Sequence, residues 1–335
     1  MLKKTIFIAE AGVNHDGSLR KAKQLIDAAS YAGADYVKFQ TYKVENLITI
    51  DAPKANYQTT NTKSKISQYL MLKKLQLSYS DHYILIKHAK KKGIKFLSSA
   101  FDIESLNFLY KLELDYIKIP SGEINNVPYL EVIGKFNKKT ILSTGMSTIA
   151  DINNAIKILV KSGLSKRKLI ILQCNTEYPS PISDANINSM LAFKKKFKTR
   201  VGYSDHTLGN EAIYAAVALG AEMIEKHFTL DKRQRGPDHS SSASVDELKN
   251  IIETSKKIKI SLGSNLKKPT LSEIKNIEVV RKKIVASQDI HKGDIFTKEN
   301  LTCLRSKKGV SAINWNKYIG KKSKKNYKKN QAILD

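Results

Sequence analysis

The stretch Arg200-Val-Gly-Tyr-Ser-Asp-His206, followed by small residues from Glu211 to Leu219 and then by Met223-Ile-Glu-Lys-His227-Phe228, decides the fold of this chain. Each flank is a short apolar run that turns polar at its C-terminal end. The segment between them has the length of a helical crossover joining parallel strands. Two adjacent strands would then each deliver a histidine to one edge of a sheet. That edge, at the strand C-termini, is where α/β folds keep their active sites.

Outward from this stretch the same alternation recurs. Thr5-Ile-Phe-Ile-Ala-Glu10, Tyr36-Val-Lys-Phe-Gln40, Lys95-Phe-Leu-Ser-Ser99, Tyr116-Ile-Lys-Ile-Pro-Ser121, Thr140-Ile-Leu-Ser-Thr-Gly145 and Leu169-Ile-Ile-Leu-Gln-Cys174 read as six further strands. Helices are predicted over 18–32 with Ser18 as N-cap, 80–92, 103–112, from Asn126 with Pro128 in the first turn, 149–161, 186–197 and 245–260. Eight strand–helix units predict a (β/α)8 TIM barrel, an α/β fold, over residues 1–263. Tyr42 to Tyr79 is polar, irregular and too long for an ordinary connection, which makes it a candidate substrate loop. After Gly263 the period stops. Residues 264–282 read as a polar linker with Pro269, and 283–335 as a small β-rich module, too small to be very stable alone.

Composition narrows the partners. The 335 residues are 41% hydrophobic, enough for one large core plus a small second domain. No apolar run approaches the ~20 residues of a membrane span. Met1-Leu-Lys-Lys4 leads straight into a strand without a signal-peptide core, so a cytoplasmic location is expected. Cys174 and Cys303 cannot form a disulfide framework. The net charge of +27 raises a nucleic-acid or acidic-membrane partner, but only seven of the 58 basic residues are arginine, and the lysines are spread over every predicted helix. Nucleic-acid readers lean on arginine forks and interleaved aromatics. Neither nucleic acid nor membrane is expected as partner, whereas a basic field attracts anionic small molecules.

The strand ends of such a barrel place Glu10, Lys38 with Gln40, Ser99, Lys118 with Ser121 and Glu123, Ser143 with Thr144, Asn175 with Glu177 and Tyr178, Ser204 with His206, and Glu225 with His227 at one mouth. Two lysines among hydroxyls and glycine turns supply the charge and donors that a phosphate or carboxylate requires. His206 and His227 read either as hydrogen-bonded core histidines or as ligands of an oxygen-preferring divalent ion such as Mn²⁺ or Mg²⁺. Glu10, Glu123 and Glu177 are acid/base candidates or ion-pair partners of Lys38 and Lys118. Asp238, after Gly236-Pro237, reads as a substrate-binding carboxylate, and His239 is open between roles. His15, His82, His88 and His291 read as structural or solvated, and the Lys322–Lys329 run as a solvated tail.

Through these residues the chain resembles the sialic acid synthase family, which includes N-acetylneuraminate synthase and its legionaminic and pseudaminic acid counterparts. The matching runs are Ile8-Ala-Glu10 with Gly12-Val-Asn-His-Asp-Gly17, Val37-Lys-Phe-Gln40, Lys118-Ile-Pro-Ser-Gly-Glu123, Leu142-Ser-Thr-Gly-Met146, Cys174-Asn-Thr-Glu-Tyr-Pro179, Tyr203-Ser-Asp-His206, Glu225-Lys-His-Phe-Thr-Leu-Asp231 and Gly236-Pro-Asp-His239. They span the chain nearly end to end. The resemblance implies a metal-dependent condensation of phosphoenolpyruvate with an N-acetylated amino sugar and water, releasing phosphate. N-acetylmannosamine is the best-known acceptor, and the Cys174–Pro179 run looks most like the N-acetylneuraminate enzymes; legionaminic or pseudaminic acid synthesis is the alternative with the same chemistry. By resemblance, Lys38, Gln40, Ser99, Lys118, Ser121, Ser143 and Ser204 hold phosphoenolpyruvate. Glu10, Tyr178 and Asp238 hold the sugar, and His206 and His227 hold the metal, Mn²⁺ first and Mg²⁺ or Co²⁺ as alternatives. Glu10 or Glu123 would manage the protons.

The C-terminal module resembles the antifreeze-like (SAF) domain of that family, which implies a domain-swapped homodimer in which Arg305 reaches the partner's sugar site. Two departures from the family pattern stand out. Ser-Lys-Lys-Gly follows Arg305 where relatives have Pro-Gly-Asn-Gly, and Ser99-Ala100 stands where Thr-Pro is common. Two other function classes fit parts of the sequence: a metal-dependent aldolase or sugar isomerase on the same barrel, and a non-enzymatic basic adaptor.

Overall fold

The computed structural model describes residues 4–62 and 66–334. The opening Met1-Leu-Lys, the part of the candidate substrate loop at 63–65, and Asp335 lie outside the described residues. The chain divides into two compact units, Met1–Gly263 and Ser264–Asp335.

In the first unit eight parallel strands close into a barrel in sequence order. They are β1 (Ile6–Gly12), β2 (Tyr36–Thr41), β3 (Lys95–Ala100), β4 (Ile117–Ile119), β5 (Thr140–Ser143), β6 (Leu169–Cys174), β7 (Arg200–Asp205) and β8 (Met223–His227). Closure comes from β8 pairing with β1, with Glu10 opposite His227. Parallel strands paired in sequence need a crossover each, and the intervening helices supply it. Their ends are set by sequence. Ser18 accepts from the Lys21 amide at the start of the helix Leu19–Tyr31. Reciprocal capping boxes, Ser78 with Asp81, Thr148 with Asp151 and Ser244 with Glu247, open the helices Tyr79–Lys91, Ile149–Lys161 and Val245–Ser261.

Side chains alternate across each strand, so the barrel has two chemistries. Outward residues such as Ala9, Val37, Phe39, Ile119 and Ile171 pack under the helices in the main core. Inward residues of the lower layers are apolar: Ile8, Tyr36, Leu97, Tyr116, Ile141, Ile170, Leu172 and Met223 form a second cluster. Two residues further along the strands the inward positions become Glu10, Lys38, Ser99, Lys118, Ser143, Cys174, Ser204 and Glu225. Gly202 permits close approach of β7 and β8, because a Cβ there would sit 2.3 Å from the Met223 carbonyl oxygen.

The connection after β2 differs from its expected irregular form. It carries three short helices, Val44–Leu47, Asn56–Thr62 and Gln68–Leu75, the last capped by Ser67. Their polar composition hid the helical period, since the Asn56–Thr62 helix buries none of its residues.

The second unit opens on a helix, Leu271–Val280, inside the stretch read as linker; a Thr270–Glu273 capping box starts it and none of its residues is buried. An antiparallel pair follows, β9 (Lys282–Ala286) and β10 (Leu301–Arg305). Isolated bridges add Ser311, Lys322, Tyr327 and Ala332 to the β-rich module. Ile284, Ile290, Phe296, Leu301, Tyr327 and Ile333 belong to its own small core.

Candidate active site

A cavity of about 290 Å³ opens at the C-terminal mouth of the barrel. Its floor is ionic. Lys118 Nζ lies 2.7 and 2.8 Å from the two carboxylate oxygens of Glu225. Lys38 Nζ lies 2.8 Å from Glu10 Oε2, 3.6 Å from Glu225 Oε1, and donates to Ser99 Oγ at 2.9 Å. Ser204 Oγ donates to Glu225 Oε1 at 3.2 Å. All four charged groups are buried, with Glu10, Lys38, Lys118 and Glu225 only 1–4% exposed. Burial of this kind is tolerated because each charge has an opposite partner.

The register explains the convergence. Glu10 stands opposite Lys38, Ser99 opposite Lys118, and Ser204 opposite Glu225 on neighbouring strands. Burial raises the Glu10 carboxyl to about 7, against the pull of Lys38. Burial also works against ionised Glu225, but the Lys118 and Lys38 ammonium groups outweigh it and hold Glu225 down to about 2. Glu225 is thus the fixed anion of the floor, and Glu10 is the carboxyl that can exchange a proton near neutral pH.

The two imidazoles stand at one side of the cavity, ring centroids 5.4 Å apart. His206 Nδ1 donates to the Asn175 carbonyl oxygen at 2.5 Å, which leaves Nε2 with the lone pair. His227 Nδ1 is buried with no hydrogen-bond partner among the described residues. Asp238 Oδ2 is 4.0 Å from it. Burial, with His206 and Lys38 nearby, pushes His227 well below the ordinary range and keeps it neutral. A neutral His227 with an unpaired nitrogen, a second imidazole oriented by its backbone bond, and a neighbouring carboxylate fit a divalent cation, and two imidazoles leave coordination positions open for oxygen ligands. No cluster of three or more ligating side chains occurs among the described residues.

Tyr178 lies against both rings, with centroids 4.1 Å from His206 and 5.5 Å from His227. Asp238 is held by its backbone: Ser242 Oγ donates to the Asp238 carbonyl and accepts from Asn14 Nδ2. Burial raises the Asp238 carboxyl to about 6.

Of the residues singled out in the sequence, Glu10, Lys38, Gln40, Ser99, Lys118 and Ser121 line the cavity, as do Ser143, Tyr178, Ser204, His206 and His227. Ser143 Oγ is buried and unpaired among the described residues. Asp238, Glu123 and Arg305 fall outside the lining, and so do Thr144, Asn175 and Glu177, the last of them exposed. Asp238 is buried behind His227. Glu123 accepts from Asn126 Nδ2 at 2.6 Å after the end of β4. Arg305 ends β10 in the second unit, opposite Lys282.

Two features were missed. Glu225 was noted at its strand end but given no role, although its position two residues before His227 puts both on one face of β8. The wall formed by Tyr42, Leu47, Ile48, Tyr57, Gln58, Gln68 and Leu72 also went unassigned beyond the loop itself. No residue pattern in that connection signals which side chains turn inward.

The NeuB family model matches residues 25–267 and the SAF domain model residues 281–335. The chain is 49% identical to N,N'-diacetyllegionaminic acid synthase of Campylobacter jejuni, over 100% of both chains. It is 41% identical to the Legionella pneumophila enzyme of the same name, covering 98% of this chain and 92% of that one. The crystal structure of N-acetylneuraminic acid (sialic acid) synthetase from Leptospira borgpetersenii superposes with a TM-score of 0.72 at 33% identity, covering 82% of this chain and 90% of that one. With that family match and end-to-end identity, the chain belongs to the NeuB family and is an enzyme of the sialic-acid-synthase type, ending in a SAF domain.

Proposed function

We propose that this enzyme condenses phosphoenolpyruvate with a di-N-acetylated amino-sugar aldehyde and water, giving a legionaminic-type acid and phosphate. The observation that carries the reading is the pair of buried ammonium groups, Lys38 and Lys118, set in a hydroxyl-lined floor beneath two free imidazole nitrogens. The identities of 49% and 41% with two N,N'-diacetyllegionaminic acid synthases support the doubly acetylated sugar over N-acetylmannosamine.

In this reading Lys38 and Lys118 bind the phosphate and carboxylate of phosphoenolpyruvate, with Gln40 and the hydroxyls of Ser99, Ser121, Ser143 and Ser204 fixing its orientation. His206 and His227 would hold a divalent ion, Mn²⁺ by preference with Mg²⁺ or Co²⁺ as alternatives; bound there, the ion supplies Lewis-acid polarisation of the sugar's aldehyde. Tyr178 and Asp238 orient the sugar above the enol. The enol methylene carbon bonds to the aldehyde carbon, water adds to the resulting cationic carbon, and the C–O bond to phosphate breaks. Glu10 is the favoured group for moving the protons, because its carboxyl is poised at about 7 and lines the cavity, whereas Glu123 is bonded to Asn126. Arg305 is assigned to the sugar site of the other subunit in a domain-swapped homodimer, and the cytoplasm is proposed as the place of action.

The test is phosphate release from the purified full chain with phosphoenolpyruvate, metal and a panel of acylated amino sugars. The reading requires all three components. Release without the sugar, or turnover unaffected by a chelator, would count against it.

A further inference from the structure

The floor and the wall of the cavity differ in charge. Every ionic group of the lining comes from a strand: Glu10, Lys38, Lys118 and Glu225. Among the described residues, the connection after β2 contributes only uncharged side chains to this lining. Gln58 and Gln68 supply amides, Leu47, Ile48 and Leu72 apolar surface, and Tyr42 and Tyr57 rings.

This wall is tied down. Asn61 Nδ2 donates to the Pro237 carbonyl oxygen at 2.8 Å, next to Asp238. The Tyr42 hydroxyl donates to the Leu72 carbonyl at 3.0 Å, and the Val44 amide donates to Gln76 Oε1 at 3.1 Å. The amides are arranged as a pair. Gln58 Oε1 accepts from the Ala55 amide at 3.2 Å and from Gln68 Nε2 at 3.3 Å. That leaves Gln58 Nε2, whose contact is the Tyr57 hydroxyl at 3.5 Å, and Gln68 Oε1, for which no partner occurs among the described residues. One donor and one acceptor beside apolar side chains is the complement of an N-acyl group, which has a carbonyl, an N–H and a methyl.

Position assigns the pair to the far end of the acceptor. From His206 the contacts run to Tyr178 at 4.1 Å, from Tyr178 to Tyr57 at 5.0 Å between ring centroids, and then to Gln58, the next residue. The aldehyde reacts over the floor, beside the imidazoles. The amide pair therefore lies two ring contacts from the reacting carbon, where a second substituent of the sugar would sit.

We propose that Gln58 and Gln68, backed by Leu47, Ile48 and Leu72, read the second N-acyl group of the acceptor. This rests on the condensation proposed above and adds the residues that choose the sugar.

The experiment uses the full chain with Mn²⁺ and compares wild type with Gln58→Leu and Gln68→Leu. Leucine keeps the bulk and removes the amide, and both positions are only half-buried, so the barrel core is untouched. Phosphate release is measured with diacetamido-trideoxymannose and N-acetylmannosamine. Each variant should lose about tenfold in kcat/KM for the diacylated sugar, the equivalent of one hydrogen bond. The value for N-acetylmannosamine should stay within about threefold and the KM for phosphoenolpyruvate should not move. If N-acetylmannosamine is too poor a substrate, its inhibition constant against the diacylated sugar replaces its kcat/KM. Equal losses on both sugars, or no loss on either, would overturn the inference while leaving the condensation intact. Wild type that releases phosphate with none of the sugars sinks the proposed condensation, and this inference with it.

Discussion

Glu225 engages Lys118 with both carboxylate oxygens, at 2.7 and 2.8 Å, in a pair with almost no solvent contact. The same carboxylate lies 3.6 Å from Lys38, so one glutamate keeps two buried ammonium groups in a single small volume. Without it the lysines repel each other, Lys118 loses its carboxylate partner, and Lys38 keeps only Glu10.

Glu225→Ala should therefore destabilise the apo-enzyme by about 3 kcal/mol, the usual cost of leaving a buried charge without its partner. Denaturant unfolding measures it. Phosphoenolpyruvate should return part of the loss by bringing its own negative charge to Lys118. An unchanged midpoint would mean that the pair contributes nothing to the folded state.

The carboxyl of Asp238 gives a pH test. Its folded value, raised to about 6 by burial, exceeds its ordinary value of 3.8, so in that window the folded state holds more protons than the unfolded. Stability from this group is fully present below the unfolded value and is lost as pH rises through the folded one. In metal-free protein, wild type should lose roughly 3 kcal/mol relative to Asp238→Asn between about pH 4 and 6, then run parallel to it. A constant difference across that range would contradict the burial argument.

His227→Ala removes the unpaired nitrogen proposed to hold the cation. Mn²⁺ should raise the melting temperature of wild type by mass action and leave the variant unmoved. Phosphate release should fall by at least about 100-fold. A variant that Mn²⁺ still stabilises as strongly as wild type would place the ion elsewhere.

Gly202→Ala tests the barrel rather than the chemistry. The added methyl would meet the Met223 carbonyl at 2.3 Å and Leu172 Cδ2 at 2.7 Å, forcing β7 and β8 apart. A loss of about 1–3 kcal/mol is expected from overpacking. Because Ser204 and Glu225 sit two residues beyond the clash on the same strands, activity should fall further than stability alone accounts for.

The barrel was legible because its signal is local and repeated: each strand is a short apolar run with a polar end, and each helix carries its own cap. Glu10, Lys38, Lys118 and the two histidines were legible for the same reason, since strand ends project onto one mouth. What escaped depends on contacts between distant segments. That Glu225 rather than Glu123 joins the lysines follows from barrel closure, which brings β8 across from β4. The Asn56–Thr62 and Leu271–Val280 helices escaped because neither buries a residue, and the Val44–Leu47 and Gln68–Leu75 helices because each is too short to show an apolar period.

The division of the cavity into a strand-built floor and a wall supplied by one connection has an evolutionary consequence. If the wall reads the acceptor as proposed above, changes in the connection between β2 and the helix Tyr79–Lys91 would alter what meets the acceptor without touching any strand that shapes the barrel or the ionic floor. Loop exchange between relatives with different acceptors is then a modular operation, and new sugar preferences can arise on this scaffold while the phosphoenolpyruvate half of the reaction stays the same.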